Sequence, residues 1–148
     1  MTLTRTLRLL SLLLALTTSG AVFAQSALGI SVYKNKYCGC CHAWIAHLQD
    51  NGFTVSANDV PDTAPVRGKL GMPAELGSCH TAVIGGYVIE GHVPAADIKR
   101  LLREKPKAVG LAVPGMPAGS PGMESPNPEP YNTLLVMKDG STKVFAKH

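Results

Sequence analysis

The sequence predicts a domain of the α/β class, and three observations lead to this class. Short apolar runs typical of strands alternate with two stretches whose apolar residues recur at helical spacing. A pair of glycines between two of these runs indicates a tight β-hairpin. The motif Cys38-Gly39-Cys40-Cys41 lies where the first strand gives way to the first helix. The predicted domain therefore combines strands and helices around one cysteine-rich turn.

The first half of the domain is predicted as strand, turn, helix and strand. Residues 29–33 form the first strand and lead into the cysteine turn. From Cys41 onward the pattern is helical, and Asn51-Gly52 ends that helix. Residues 53–56 form the second strand. The apolar residues that share one face of the helix are Trp44, Ile45 and Leu48.

The second half of the core adds a hairpin and another helix. Residues 59–76 are irregular or short-helical because prolines interrupt them. Residues 81–84 and 87–89 pair around the two glycines. Pro94 then opens a helix, since proline is well placed in a first helical turn. The resulting order, strand, cysteine turn, helix, strand, linker, strand, strand, helix, is that of a thioredoxin-like, three-layer domain.

The C-terminal part departs from this order. Residues 110–130 are rich in proline and glycine, which predicts a loop, and a last β-hairpin follows within residues 133–146. The mature chain, residues 25–148, is predicted as one domain with a core at about 28–105 and an extension at 106–148. Two methionines stand in the loop of this extension: Met116 and Met123.

The first 24 of the 148 residues have the pattern of a secretory signal peptide. Arg5 and Arg8 precede a short apolar run at 9–16, and small residues at the positions that signal peptidase recognises precede Gln25. The run is too short to span a bilayer as a helix. Since no cysteine follows the cleavage site, we expect no lipid anchor there. The mature protein is predicted to be periplasmic.

Charge and composition exclude other classes of partner. The net charge is +4, and removal of Arg5 and Arg8 lowers it to +2. A value this small argues against nucleic-acid binding and against a polybasic membrane surface. Only 5% of the residues are aromatic, which disfavours a base-stacking platform. No membrane anchor is expected after signal removal, because no later apolar segment is long enough to span a bilayer.

Cys40 distinguishes the cysteine turn from a simple redox pair. Cys38 and Cys41 have the spacing of a dithiol shuttle, and a helix N-terminus stabilises a thiolate there. Thiolate is both a nucleophile and a metal ligand, so electrostatics alone does not choose between redox and metal chemistry. Cys40 adds a third sulfur, and Cys79 supplies a fourth just before a predicted strand. All four cysteines are therefore predicted as ligands of one metal site.

His80 and the loop methionines extend the predicted donor set. A thioredoxin-like domain normally places a cis-proline opposite the dithiol, where this chain has His80, and an imidazole nitrogen can bind a metal. Met116 and Met123 offer thioether sulfur, which like thiolate suits Cu(I). Three Cys and one His would satisfy zinc. The adjacent Cys40 and Cys41, however, are awkward around one tetrahedral ion and can bridge several Cu(I) ions. Copper is favoured over zinc, while redox and structural disulfide roles stay open.

The remaining histidines are weaker candidates. His42 is adjacent to the cysteines and is a possible ligand, although exposure to solvent is slightly favoured. His47 lies about 10 Å beyond Cys40 along the helix axis, so we expect it to support a ligand or to cap a helix. His92 is predicted to be structural, and His148 at the C-terminus is predicted to be disordered.

Three segments carry a resemblance to a known family. They read YCGCCHAWIAHL at 37–48, SCHTAVIGGYVIEGHVPAAD at 78–97 and GLAVPGMPAGSPGME at 110–124. The chain resembles the bacterial exported metal-binding family that includes the periplasmic copper-resistance protein CopG. The resemblance implies a thioredoxin-like fold, a cysteine-bridged multinuclear copper site and a role in copper resistance, including redox handling of Cu(I) and Cu(II). It places Cys38, Cys40, Cys41 and Cys79 on the cysteine positions of the family.

Three functional hypotheses follow. The first is a copper-binding protein that buffers, transfers or redox-cycles copper, with copper ions and other periplasmic copper-handling proteins as partners. The second is a thiol–disulfide oxidoreductase with Cys38 as nucleophile and Cys41 as resolving thiol. The third is a module stabilised by zinc. Whether copper turnover is catalytic is left open by the sequence.

Overall fold

The structure is a computed structural model, and it describes residues 28–148. The predicted signal peptide and the predicted mature start at Gln25 lie outside these residues. No helix within the described part of the chain is long and apolar enough to cross a membrane.

Seven strands, three α-helices and one short 3₁₀ turn make up the described chain. In order, they are β1 (Leu28–Lys34), α1 (Gly39–Asp50), β2 (Phe53–Asp59), α2 (Ala64–Lys69), the 3₁₀ turn (Ala74–Leu76), β3 (His80–Ile84), β4 (Tyr87–Gly91), α3 (Ala95–Glu104), β5 (Gly110–Val113), β6 (Asn132–Val136) and β7 (Thr142–Lys147). The class is α/β, as the sequence predicts.

All seven strands form one mixed sheet in the order β2-β1-β3-β4-β5-β6-β7. The pairs β1–β2 and β4–β5 are parallel, and the other pairs are antiparallel. Strand β1 therefore lies between β2 and β3, although α1 follows it directly in the chain. This order places the end of β1 beside the start of β3.

The main core lies between the sheet and the two longer helices. Trp44 of α1 is fully buried, and its Nε1–H donates to the Val93 carbonyl at 2.9 Å. Burial of such side chains is the main stabilising contribution to a domain of this size. The largest apolar side chains of this core are Trp44, Leu48, Ile98 and Leu101 from the helices and Ile30, Val32, Ile89 and Leu111 from the strands.

The predicted strands, helices and β3–β4 hairpin are confirmed, with most bounds extended by one to three residues. Asn51 caps the C-terminus of α1, and Pro94 directly precedes α3, as predicted. The helix α1 begins at Gly39 rather than at Cys41, because Cys38 is its N-cap and its Sγ accepts from the Cys41 N–H. The cysteine turn is thus the first turn of the helix itself.

One prediction about the extension is wrong. Gly110–Val113 is not part of a loop but the buried strand β5, parallel to β4 and antiparallel to β6. Four residues followed by a proline carry too little periodicity to indicate a strand. These residues form a strand because they pair with β4 and β6, and the extension thereby adds strands to the sheet of the core.

His148 is also ordered, contrary to prediction. Its Nε2 lies 2.9 Å from Asp97 Oδ2, and its ring stacks on Tyr131 at 4.8 Å between centroids. Thr133 Oγ1–H donates to the same Asp97 oxygen at 2.6 Å. The end of the chain is therefore held against the first turn of α3.

Gly110→Ala tests the packing of β5 on β4. A Cβ at Gly110 would overlap the carbonyl oxygen of Val88, so the strand must shift. We expect a loss of about 1–3 kcal/mol in the free energy of unfolding, measured by urea denaturation. Gly29→Ala on β1 is the matched control, because nothing lies within 4 Å of its new Cβ. An equal effect of the two changes would contradict the β4–β5 packing.

Candidate metal centre

Two segments that are distant in sequence form the site. The antiparallel pairing of β1 and β3 places Lys34 opposite His80. The cysteine turn leaves the end of β1, and Cys79 immediately precedes β3. Sheet pairing therefore brings Cys79 to the same edge of the domain as Cys38, Cys40 and Cys41.

The four cysteine sulfurs form one cluster. Cys38 and Cys41 are joined in a disulfide, while Cys40 and Cys79 are free thiols. The Sγ atom of Cys40 lies 3.4 Å from that of Cys38 and 3.5 Å from that of Cys79. All four Sγ atoms lie within 4.8 Å of one another. A second disulfide is not formed, and Cys40 is positioned between the disulfide and Cys79.

The Cys79 thiol is protonated at neutral pH in the metal-free protein. Burial raises the pKa of Cys79 to about 12, and the neighbouring Cys40 thiol adds to this increase. A thiolate ligand must lose its proton, so a metal that binds Cys79 displaces that proton. Metal binding at Cys79 is therefore coupled to proton release.

His80 presents one ring nitrogen to Cys79. Its Nε2–H donates to the Gly91 carbonyl at 2.9 Å, which leaves the Nδ1 lone pair 3.4 Å from Cys79 Sγ. The ring is fully buried and lies 4.2 Å from the Trp44 ring. Burial lowers the pKa of His80 to about 3, and the nearby His92 adds to this decrease. The imidazole is thus neutral, the form that binds a metal.

His92 is the site residue that sequence reasoning missed. Its Nδ1–H donates to the Pro121 carbonyl at 2.8 Å, and its Nε2 lies 3.1 Å from Cys79 Sγ. Burial lowers its pKa as well. Cys79, His80 and His92 form a second group of donor atoms that all lie within 4.8 Å of one another. The two groups share Cys79.

A signal for His92 was present in the predicted hairpin. The two-residue turn fixes the β3–β4 register, in which Thr81 pairs with Glu90. Cys79 and His92 each lie two residues further from the turn than this pair. Extending the register would therefore have placed this histidine opposite the cysteine.

Comparisons with known proteins show which family the chain resembles. The family described as "Protein of unknown function, DUF411" matches residues 76–123, which include Cys79, His80 and His92. Two solved structures, titled "Copper resistance protein copG" in Form 1 and Form 2, are each 47% identical to this chain. Each match covers 82% of this chain and 98% of the other, with a TM-score of 0.78. No curated protein matches.

The chain belongs to the CopG family of copper resistance proteins. The likeness extends over nearly the full length of the two solved structures, because each match covers 98% of that chain.

The two other histidines near the site lie outside both donor groups of this CopG-family chain. His47 Nε2 accepts from the Ala95 N–H at 3.1 Å, at the first residue of α3. Burial lowers the pKa of His47, which keeps this nitrogen an acceptor. His42 is exposed on α1.

The loop of the extension packs against the site through backbone groups. The Gly115 carbonyl accepts from Ser78 Oγ–H, next to Cys79, and the Pro121 carbonyl holds His92. The tripeptide Pro-Gly-Met occurs at 114–116 and again at 121–123, and each of these contacts falls in one of the two. Each tripeptide therefore places its methionine one or two residues from a site contact. Met116 is 52% exposed, and Met123 is partly buried.

The metal-free protein should lose stability as the pH falls below 6.5. The unfolded chain protonates His80 near pH 6.5, whereas the folded chain does so near 3. The stabilisation is therefore complete above pH 6.5 and is lost progressively towards pH 3. This single group contributes up to about 1.4 kcal/mol per pH unit in that range. Urea unfolding at pH 7, 6 and 5 measures the slope.

His80→Gln provides the comparison for that slope. Glutamine retains a donor for the Gly91 carbonyl but does not titrate, so the pH dependence should become shallower by about one proton. An unchanged slope would contradict a buried neutral imidazole at this position.

Proposed function

We propose that this protein is a periplasmic copper-binding protein with a cysteine-bridged multinuclear Cu(I) site, acting in copper resistance or copper redox handling. The observation that carries the proposal is the convergence of four Sγ atoms within 4.8 Å. The copper resistance proteins named above, which share 47% of their residues with this chain, support copper as the metal.

The donor set favours more than one ion. Cys38, Cys40, Cys41 and Cys79 offer four thiolates once the disulfide is reduced, and His80 Nδ1 and His92 Nε2 add two nitrogens. Six donors exceed the four that a tetrahedral ion takes. Thiolate sulfur is soft and suits Cu(I), whereas zinc would use only part of the set.

Outer donors would come from the methionines of the extension. Met116 and Met123 follow backbone segments that touch the site, and thioether sulfur binds Cu(I). His42 lies in the first turn of α1 but outside both donor groups, so we assign it no role as a ligand. His47 would act by capping α3 rather than by binding metal.

The Cys38–Cys41 disulfide supports a link between copper and thiol redox chemistry. Oxidation of the two thiols to the disulfide releases two electrons and two protons. Each Cu(II) ion takes one electron, so formation of one disulfide reduces two Cu(II) to two Cu(I). Cys40 and Cys79 remain thiols in that state. The donor group of Cys79, His80 and His92 is therefore still complete.

The fold and location complete the proposal. The partial order β2-β1-β3-β4, with β1 parallel to β2 and α3 after β4, supports a thioredoxin-like, three-layer core at 28–105 with an extension at 106–148. The signal peptide predicted at 1–24 supports export to the periplasm. The partners would be copper ions and other periplasmic copper-handling proteins.

Copper stoichiometry tests the multinuclear site. Fully reduced protein titrated anaerobically with Cu(I) should bind more than one ion per chain, as measured by elemental analysis after desalting. Protein with the Cys38–Cys41 disulfide intact should bind fewer ions, because two thiolates are absent. One ion or less per reduced chain would rule out the multinuclear site, and zinc retained after native purification would favour the zinc-stabilised module.

Substitution of individual donors tests which residues bind. Cys79→Ser should lower both stoichiometry and affinity, because Cys79 belongs to both groups. His92→Gln should weaken Cu(I) binding about tenfold or more against a chromophoric chelator, the scale of losing a metal-site contact. His42→Gln is the matched control and should bind as the wild type does. Equal effects of the two histidine changes would argue against His92 as a ligand.

A second candidate function is thiol–disulfide exchange, which the Cys38–Cys41 disulfide specifically favours. Metal-free protein whose Cys38–Cys41 disulfide has first been reduced with a dithiol should then reduce a model disulfide. Cys38 is the nucleophile, the Cys38–Cys41 disulfide re-forms as the model disulfide is reduced, and loss of Cys40 or Cys79 should leave the rate unchanged. If Cys40→Ser abolishes copper resistance in cells but leaves this exchange intact, the exchange is not the function.

A further inference from the structure

Cys79 depends on a short segment that has no regular structure of its own. Residues 77–79 connect the 3₁₀ turn to β3. The backbone groups of Ser78 therefore require partners other than a neighbouring strand. Since Cys79 follows directly, whatever holds Ser78 sets where the Cys79 sulfur lies.

Glu90 holds the amide side of this segment. The residue lies on β4 and is fully buried. Its Oε1 accepts from the Ser78 N–H at 2.7 Å and from Arg67 Nε–H at 2.8 Å. Its Oε2 accepts from Thr81 Oγ1–H at 2.6 Å, just beyond Cys79 in the chain. The carboxylate is thus bonded on both sides of the cysteine.

Arg67 holds the carbonyl side. Its Nη2 donates to the Ser78 carbonyl at 2.8 Å and to Thr63 Oγ1 at 3.1 Å. The side chain is only 10% exposed, and it comes from the short helix α2. Both backbone polar groups of Ser78 are therefore bound by the two partners of one buried ion pair.

The backbone of β4 leaves no space for Ser78 to move sideways. A Cβ at Gly91 would lie 2.7 Å from Ser78 Cβ, so only glycine permits this approach. The Gly91 carbonyl also accepts from His80 Nε2. The same stretch of β4 thus positions the cysteine segment and one of the histidines.

Stability alone does not account for a buried pair of this kind. Removing two charges from water costs several kcal/mol, and apolar residues of similar size are often as stabilising. Three N–H or O–H groups donate to the Glu90 carboxylate, and the Arg67 guanidinium joins β4 to the segment before β3. Such an arrangement is suited to fixing the positions of the groups it joins.

We propose that the buried Arg67–Glu90 pair is the positioning device for Cys79, holding its sulfur within reach of Cys40, His80 and His92. The biological meaning of this proposal rests on the copper-binding function proposed above. The position of the Cys79 sulfur can nevertheless be tested in metal-free protein.

Alkylation of the two free thiols tests the positioning directly. In metal-free protein with the Cys38–Cys41 disulfide intact, iodoacetamide reacts with Cys40 and Cys79, and mass spectrometry gives both rates. Glu90→Gln keeps the side-chain shape but removes the charge, and it should raise the Cys79 rate relative to Cys40 about tenfold. Arg67→Lys keeps a charge near Glu90 but not both bonds, so it should raise the ratio less.

Thr133→Val is the matched control. Thr133 is fully buried on β6 and donates to Asp97 of α3, so its loss destabilises the fold without touching residues 77–79. It should leave the ratio of rates unchanged. An unchanged ratio in Glu90→Gln, or an equal rise in Thr133→Val, would overturn the proposal. Should Glu90→Gln not fold, an unchanged ratio in Arg67→Lys overturns it equally.

Cu(I) competition with a chromophoric chelator separates this proposal from the proposed function. If wild-type protein binds no more than one ion, the multinuclear function fails, while the alkylation ratio still decides the positioning. If wild type binds several ions and Glu90→Gln binds them with equal affinity, the positioning role fails and the copper function stands. A loss of affinity in Glu90→Gln but not in Thr133→Val supports both.

Discussion

The antiparallel pairing of β1 with β3 is the constraint on which the site depends. It places Lys34 opposite His80, so the turn after β1 and the segment before β3 meet at one edge of the sheet. The cysteine turn and Cys79 are 38 or more residues apart in sequence, and no local interaction joins them. A one-residue slip in this pairing would reverse the faces of the β3 side chains and move Cys79 away from the cysteine turn.

Burial of polar groups around the site is balanced by hydrogen bonds. Among the described residues, no buried side-chain nitrogen or oxygen lacks a partner. For His80 and His92, a backbone carbonyl takes one ring N–H and leaves the other nitrogen facing the Cys79 sulfur. The two carbonyls that accept hydrogen bonds from these buried rings therefore also fix the tautomer whose other nitrogen can bind a metal.

Several features of the fold could be predicted because their causes are local. The two glycines between apolar runs specify the β3–β4 hairpin, and Asn51-Gly52 ends α1. Strand β5 could not be predicted, because its four residues become a strand only by pairing with β4 and β6. His92 lay within reach of prediction through the hairpin register. The Arg67–Glu90 pair was not, because α2 reaches Glu90 only once the chain has folded.

The amino-acid sequence alone supplies the available chemistry: four cysteines, a histidine directly after two of them, and a hairpin whose register sets His92 opposite Cys79. Side-chain type and short-range turn geometry suffice for those features. Folding is needed to bring the four sulfurs together, to set His92 rather than His42 against Cys79, and to hold Ser78 with a buried ion pair. These outcomes depend on the order of strands in the sheet. That order reflects the burial of apolar side chains from the whole chain, and local spacing does not encode it.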